Sequence, residues 1–231
     1  MTGKPPCAAR TMTRQIGTPH KFRPHDLVWI DDPRSFIAAT PTPTPAWVAT
    51  TLAAELVMVV RRGRVSPGLI PVGVRGSARD ERFAGAVASG SITRRVRPED
   101  LLSQRQEPTQ ARRDAMPALE GFYAVMSAWA DLNLPWGPVG SVGFELATGV
   151  PVATASSDLD LVVYAASYLS EQDGNLLLEA VAGIDAVADI QVETPQGGFS
   201  LREYCDGRSL RRRLKTCDGG ARLVRDPWSN A

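Results

Sequence analysis

The chain has 231 residues, 43% of them hydrophobic and 22% charged, with 26 basic residues against 25 acidic ones. That length supports a sizeable core in one large or two small domains. The near-zero charge argues against a non-specific nucleic-acid binder, and no apolar run approaches the roughly 18 residues of a spanning helix. Three cysteines, odd in number and spaced like no zinc site, read as reduced thiols of a soluble cytoplasmic protein.

Residues 1–21 are rich in Thr, Pro, Lys and Arg and lack an apolar signal-peptide region, so they read as a poorly ordered tail. Order is expected from His25-Asp26-Leu27-Val28-Trp29-Ile30, a short strand. The alternating prolines of 40–45 form an extended link, and Ala46 to Glu55 is helix-permissive. Leu56 to Val60 and Leu69 to Val74 read as two strands of a hairpin, turned by the Gly- and Pro-bearing stretch between them. Ser77 to Val87 reads as a short helix with Asp80 and Glu81 near its start, and Ile92 to Val96 as a strand. Pro98-Glu99-Asp100 opens a helical turn, and polar Ser103 to Gln110 has linker composition.

The second half opens with a helix over Pro117 to Leu132, where Leu119, Phe122, Met126 and Trp129 make one apolar stripe. Trp136-Gly137-Pro138 ends that stretch. Strands are expected at Leu159 to Val163, Asn175 to Val181, Val187 to Glu193 and Ala221 to Val224. The fold class is α/β (α+β), with an N-terminal domain over 22–105 and a second domain over 106–231.

Ser157-Asp158-Leu159-Asp160 sets two carboxylates at the mouth of an apolar strand. Residues two apart on a strand share a face, so Asp158 and Asp160 crowd together and call for a cation. Hard oxygen ligands of this kind suit Mg²⁺, which fills its shell with substrate phosphates. Upstream, Gly140 lets backbone N–H groups approach an anion and Ser141 adds a hydroxyl. Sixteen residues separate Ser141 from Asp158, and a hairpin through Ala147 to Pro151 would take up that length.

Gly-Ser followed by Asp-x-Asp at a strand start resembles the nucleotidyltransferase fold, a mixed sheet flanked by helices. That resemblance implies a third carboxylate on a neighbouring strand. Asp189 is preferred, flanked by Ala188 and Ile190, with Glu193 in reserve. More narrowly, the chain resembles the malonate decarboxylase holo-acyl-carrier-protein synthases, also called phosphoribosyl-dephospho-CoA transferases. The matching pieces are Pro24 to Trp29, Val72 to Gly76 with Arg79 and Arg82, the block Trp136 to Gly149, Ser157 to Leu161, Val192 to Pro195 with Gly197-Gly198, and Asp226-Pro227-Trp228.

The resemblance implies transfer of the phosphoribosyl-dephospho-CoA group from triphosphoribosyl-dephospho-CoA to a serine of the acyl-carrier subunit of malonate decarboxylase, with pyrophosphate released. Asp158, Asp160 and Asp189 (or Glu193) would then hold Mg²⁺, Gly140 and Ser141 would cradle pyrophosphate, and Arg75 and Arg79 would bind the donor, although Arg79 and Arg82 fit equally a solvated helix face paired with Asp80 and Glu81. The N-terminal domain would help bind that donor. His25 is a candidate base or a structural hydrogen-bonding residue, and Arg211-Arg212-Arg213 with Lys215 faces either solvent or an acidic carrier. The competing readings are another nucleotidyltransferase-fold enzyme with a different acceptor, and an inactive module that binds a nucleotide or carrier protein.

Overall fold

The computed structural model describes residues 22–40, 43–76, 78, 80–207 and 211–229. The expected tail over 1–21 and the start of the proline link lie outside them. Among the described residues the chain forms two six-stranded sheets, the first antiparallel and the second mixed, with helices packed against them.

The first sheet contains β1 (Leu27–Ile30), β2 (Phe36–Ala38), β3 (Val57–Val60), β4 (Leu69–Arg75), β5 (Arg82–Ala88) and β6 (Ile92–Val96), in the order β2-β5-β4-β3-β1-β6. Its period-2 alternation sorts two faces. Val28, Ile30, Met58, Val60, Val72 and Val74 pack with Val48 and Leu52 of helix α1 (Ala46–Glu55) in one apolar cluster. Leu27, Val57 and Val96 turn the other way and join the core of the second sheet.

Among the described residues of 77–87 the expected helix is not formed. Its second half is β5, paired residue by residue with β4 from Leu69↔Ala88 to Arg75↔Arg82. The Ala- and Gly-rich run Phe83 to Val87 has helix-permissive local preference, and pairing along the whole length of β4 overrides it.

Between the sheets run a 3₁₀ turn at Pro98–Leu102 and helices α2 (Gln110–Ala115) and α3 (Pro117–Ala128). The helix expected to reach Leu132 stops at Ala128, yet Leu119, Phe122 and Trp129 are buried as the stripe requires. The second sheet contains β7 (Trp136–Pro138), β8 (Leu159–Tyr164), β9 (Ala188–Thr194), β10 (Gly197–Ser200), β11 (Arg212–Lys215) and β12 (Ala221–Val224), in the order β12-β11-β10-β9-β8-β7.

Helix α4 (Gly140–Thr148) follows β7, and Gly149 closes it with φ 77°. The expected hairpin over Ala147 to Pro151 is therefore a helix end, not a turn between strands. Buried Glu145 secures the chain beyond it. Its carboxylate takes hydrogen bonds from Arg112 at 2.8 and 2.9 Å and from the Val152 and Ala153 amides at 2.9 and 2.8 Å.

β8 and β9 are parallel, the one parallel pair among the described strands. A parallel pair needs a long crossover, usually helical. The segment Asn175 to Val181, expected as a strand, is instead mostly in that crossover, helix α5 (Glu171–Ala180). Ser170 caps it by accepting from the Asp173 amide. A short Leu-Leu-Leu run fits a strand or a buried helix turn equally, and here topology decides. Helix α6 (Leu201–Cys205) completes the layer.

Contacts tie the two sheets together. The Gly63 amide donates to the Cys217 carbonyl at 3.1 Å, and Tyr164 donates its hydroxyl to the Pro24 carbonyl at 3.2 Å. No helix among the described residues is long and apolar enough to cross a membrane.

Candidate active site

Alternation in β8 and β9 builds the site. Leu159, Leu161 and Val163, with Ala188, Ile190 and Val192, point into the core. Asp160 on β8 and Asp189, Gln191 and Glu193 on β9 are thereby left to the opposite face. The parallel register sets Asp160 beside Asp189, with Asp158 just before the strand.

These carboxylates crowd each other. Burial pushes the Asp160 carboxyl above its usual range, and the negative charges of Asp189 and Asp158 push it further, against the pull of Arg82 and Arg75. Asp160 also rests on the first residue of α4. Gly140 has φ 62°, and a Cβ there would overlap the Asp160 carboxylate, so only glycine suits the position. The Val139 amide donates to the Asp160 carbonyl at 2.9 Å and locks strand to helix. Ser141 is buried in the first turn of α4, whose opening N–H groups have no partners within the helix.

A cavity of about 640 Å³ opens between the two sheets. Asp160, Asp189 and Gly140 line one wall, and Arg75 and Arg82, paired across β4 and β5, line the wall facing them. Arg75 thus stands with the carboxylates, as expected. Arg79 lies outside the described residues. The sequence sets Arg82 among the family-like pieces but on an expected helix; in a strand its register with Arg75 brings it into the cavity.

Glu193 stands elsewhere. It is 7% exposed and forms an ion pair with Arg62, with His25 Nε2 at 3.4 Å. Burial raises its carboxyl, but the His25 hydrogen bond and the Arg62 charge outweigh that and hold it below the usual range. Gly198 on β10 makes room: a Cβ there would overlap the Arg62 guanidinium. The Gly-Gly of the sequence thus serves a buried ion pair between the sheets. His25, with φ 77°, lines the cavity, and its Nε2 lies 2.8 Å from Gln191 Nε2.

Three crowded carboxylates offer the hard oxygens that Mg²⁺ prefers, and a bound cation would offset the repulsion that raises Asp160. Among the described residues no three His, Cys, Asp or Glu side chains are arranged to hold a metal ion by themselves. The donor set therefore fits an ion held by one or two carboxylates and completed by substrate phosphates, which is the usual manner of Mg²⁺.

Comparison with known proteins extends this geometry. Residues 23–98 match the N-terminal domain model of the phosphoribosyl-dephospho-CoA transferase MdcG, and residues 101–227 match its C-terminal domain model. The chain belongs to this family. It is 40% identical over 207 residues to a phosphoribosyl-dephospho-CoA transferase of Pseudomonas putida, covering 90% of this chain and 95% of that one. Its identity to a Klebsiella pneumoniae transferase of the same name is 41% over 208 residues, covering 89% and 96%. A Pseudomonas aeruginosa relative, again of that name, is 39% identical over 205 residues, covering 89% and 93%. No solved structure matches the chain. The protein is accordingly an enzyme, a phosphoribosyl-dephospho-CoA transferase of nucleotidyltransferase type.

Proposed function

We propose that the enzyme transfers the phosphoribosyl-dephospho-CoA group from triphosphoribosyl-dephospho-CoA to a serine of the acyl-carrier subunit of malonate decarboxylase. The serine Oγ bonds to the innermost phosphorus of the triphosphate. The bond from that phosphorus to its bridging oxygen breaks, and pyrophosphate departs with the oxygen. The serine proton passes to a carboxylate.

One observation carries this reading: crowded carboxylates and two guanidinium groups share a cavity between the sheets. Arg75 and Arg82 bind triphosphate oxygens, for which a guanidinium fork is well shaped. The N–H groups opening α4 at Gly140 and Ser141 face the departing pyrophosphate, because a helix start favours anions. Asp158 and Asp160 would hold Mg²⁺, with the donor's phosphates completing its shell. When bound, the ion would supply a positive charge to the triphosphate and lower the pKa of the attacking hydroxyl. Asp189 is exposed at the cavity wall and accepts the serine proton. Glu193 is excluded from that task by its pairing with Arg62, which makes it a weaker base.

The test is mass spectrometry of the apo carrier subunit after incubation with donor, enzyme and Mg²⁺. The expected result is a mass increase of one phosphoribosyl-dephospho-CoA group on a serine, lowered about a thousandfold in rate by Asp160→Asn. An Asp160→Asn enzyme that transfers at near the normal rate would overturn the roles given to these carboxylates.

A further inference from the structure

We propose that the cavity holds a second phosphate subsite, formed by Arg61 and Lys215 and bordered by His25, which takes the diphosphate of the donor's dephospho-CoA portion. The inference rests on the transfer reading above and extends it to a part of the donor remote from the reacting phosphorus.

The two ends of the cavity differ in charge. At the Asp160 end, carboxylates crowd together and need cations. One step along the same face of β9, about 7 Å from Asp189, stands Gln191. Its Oε1 accepts from Lys215 Nζ at 3.1 Å, and its Nε2 lies within hydrogen-bonding reach of His25. A neutral amide thus holds Lys215 at the cavity wall. The carboxylate beneath, Glu193, is already matched by Arg62. Lys215 itself makes no ion pair among the described residues, and its ammonium stands at the cavity wall.

Arg61 adds to it from the opposite sheet. Just past β3, its amide donates to the Pro71 carbonyl at 3.0 Å, and its side chain runs near Gly73. Val59, Gly73 and Ala84, neighbours across β3, β4 and β5, line the cavity beside it. Two of these are very small, so they leave a low apolar floor between Arg61 and the Arg75–Arg82 pair. A ligand fitted to this cavity carries one polyanion at the carboxylate end, a compact apolar middle and a second anion at the cationic end. Triphosphoribosyl-dephospho-CoA has that order: a triphosphate, two linked riboses with adenine, and a diphosphate leading to the pantetheine arm.

Calorimetry separates the two subsites with two probes, each titrated into the full-length enzyme with Mg²⁺. Dephospho-CoA carries the diphosphate but no triphosphate, and inorganic tripolyphosphate carries the reverse. Arg61→Ala and Lys215→Ala change exposed side chains, and a thermal melt of each variant verifies folding. Each is expected to weaken dephospho-CoA binding about tenfold and to leave tripolyphosphate within about twofold, while Arg75→Ala does the opposite.

Equal weakening of both probes, or unchanged dephospho-CoA binding, overturns the second subsite. Unchanged donor binding with a raised requirement for carrier protein also overturns it, by assigning these cations to the acceptor. If the subsite alone is wrong, wild-type enzyme still labels the carrier; if wild type neither binds dephospho-CoA nor labels the carrier, the transfer reading falls too.

Discussion

Asp189 and Glu193 leave the same face of β9 four residues apart, yet they meet different surroundings. Asp189 is exposed in the cavity, beside Asp160 in the parallel register. Glu193 is buried and faces a guanidinium 131 positions away in sequence. Alternation decides which face a carboxylate occupies; the partner that the fold brings opposite decides what it does. One acid is available to a substrate and the other holds two sheets together.

Substitution should separate these roles. Glu193→Gln leaves the Arg62 charge buried without its counter-ion, and the expected cost is about 3–5 kcal/mol of unfolding free energy in urea. Replacing both partners, as in Arg62→Met with Glu193→Met, should recover most of that loss, because a buried pair exchanged for apolar side chains is often neutral. A double variant no more stable than Glu193→Gln would sever the link between the two residues. The pair also predicts an acid limit. The folded state holds the Glu193 carboxyl below its usual range, so its contribution is full above that range. It is lost as pH falls through the lowered value.

Asp189→Asn should behave in the opposite way. Its side chain is exposed, so the unfolding free energy in urea should change by no more than about 0.5 kcal/mol. Transfer to the carrier serine should fall about a hundredfold, since the proton acceptor is gone. An Asp189→Asn enzyme with normal transfer and a lost fold would reverse the comparison.

Much of the acidic end is legible in the sequence, and much of the rest is not, for a physical reason. Asp158 and Asp160 stand at the start of an apolar strand, and Asp189 is flanked by Ala188 and Ile190. A period of two gives the shared face of Asp158 and Asp160 without any knowledge of the fold, whereas Asp189 enters only through the resemblance, which implies a third carboxylate on a neighbouring strand. The partner of Glu193 is invisible by that route, because the Arg62–Glu193 pair depends on how one sheet docks on another. Arg82 is misplaced for a related reason: Ala- and Gly-rich surroundings favour a helix locally, and only the hairpin with β4 aligns it with Arg75. Helix α5 is missed because its Leu-Leu-Leu run has no decisive period, while the parallel crossover that requires a helix is a property of the whole sheet.

Smaller effects probe the arginines. Arg75→Lys keeps the charge but loses the planar fork that grips two phosphate oxygens. The expected result is an increase of about tenfold in the apparent KM for the triphosphate donor, with little change in stability. An unchanged KM would remove Arg75 from the donor's contacts and leave Arg82 as the principal cation facing Asp160.

The smallest expected effect concerns stability at the acidic end, and its sign is opposite to that at Glu193. Burial, with Asp189 and Asp158 behind it, raises the Asp160 carboxyl above its ordinary value of 3.8 in the folded protein. The folded state then binds this proton more readily than the unfolded state, so stability falls as pH rises from the ordinary value through the raised one. Above that window the ionised group carries its full penalty. Asp160→Asn removes the charge without changing the shape, so it should stabilise the fold at pH 7 by on the order of 1 kcal/mol while lowering transfer about a thousandfold. Below the ordinary value the gain should vanish, because the wild-type carboxyl is then neutral as well. Urea midpoints at the two pH values measure this directly. Added Mg²⁺ should narrow the difference at pH 7 by stabilising the wild type more than the variant. A variant less stable than wild type at pH 7 would mean that the neighbouring arginines outweigh the carboxylates, and the case for a cation between them would lose its electrostatic ground.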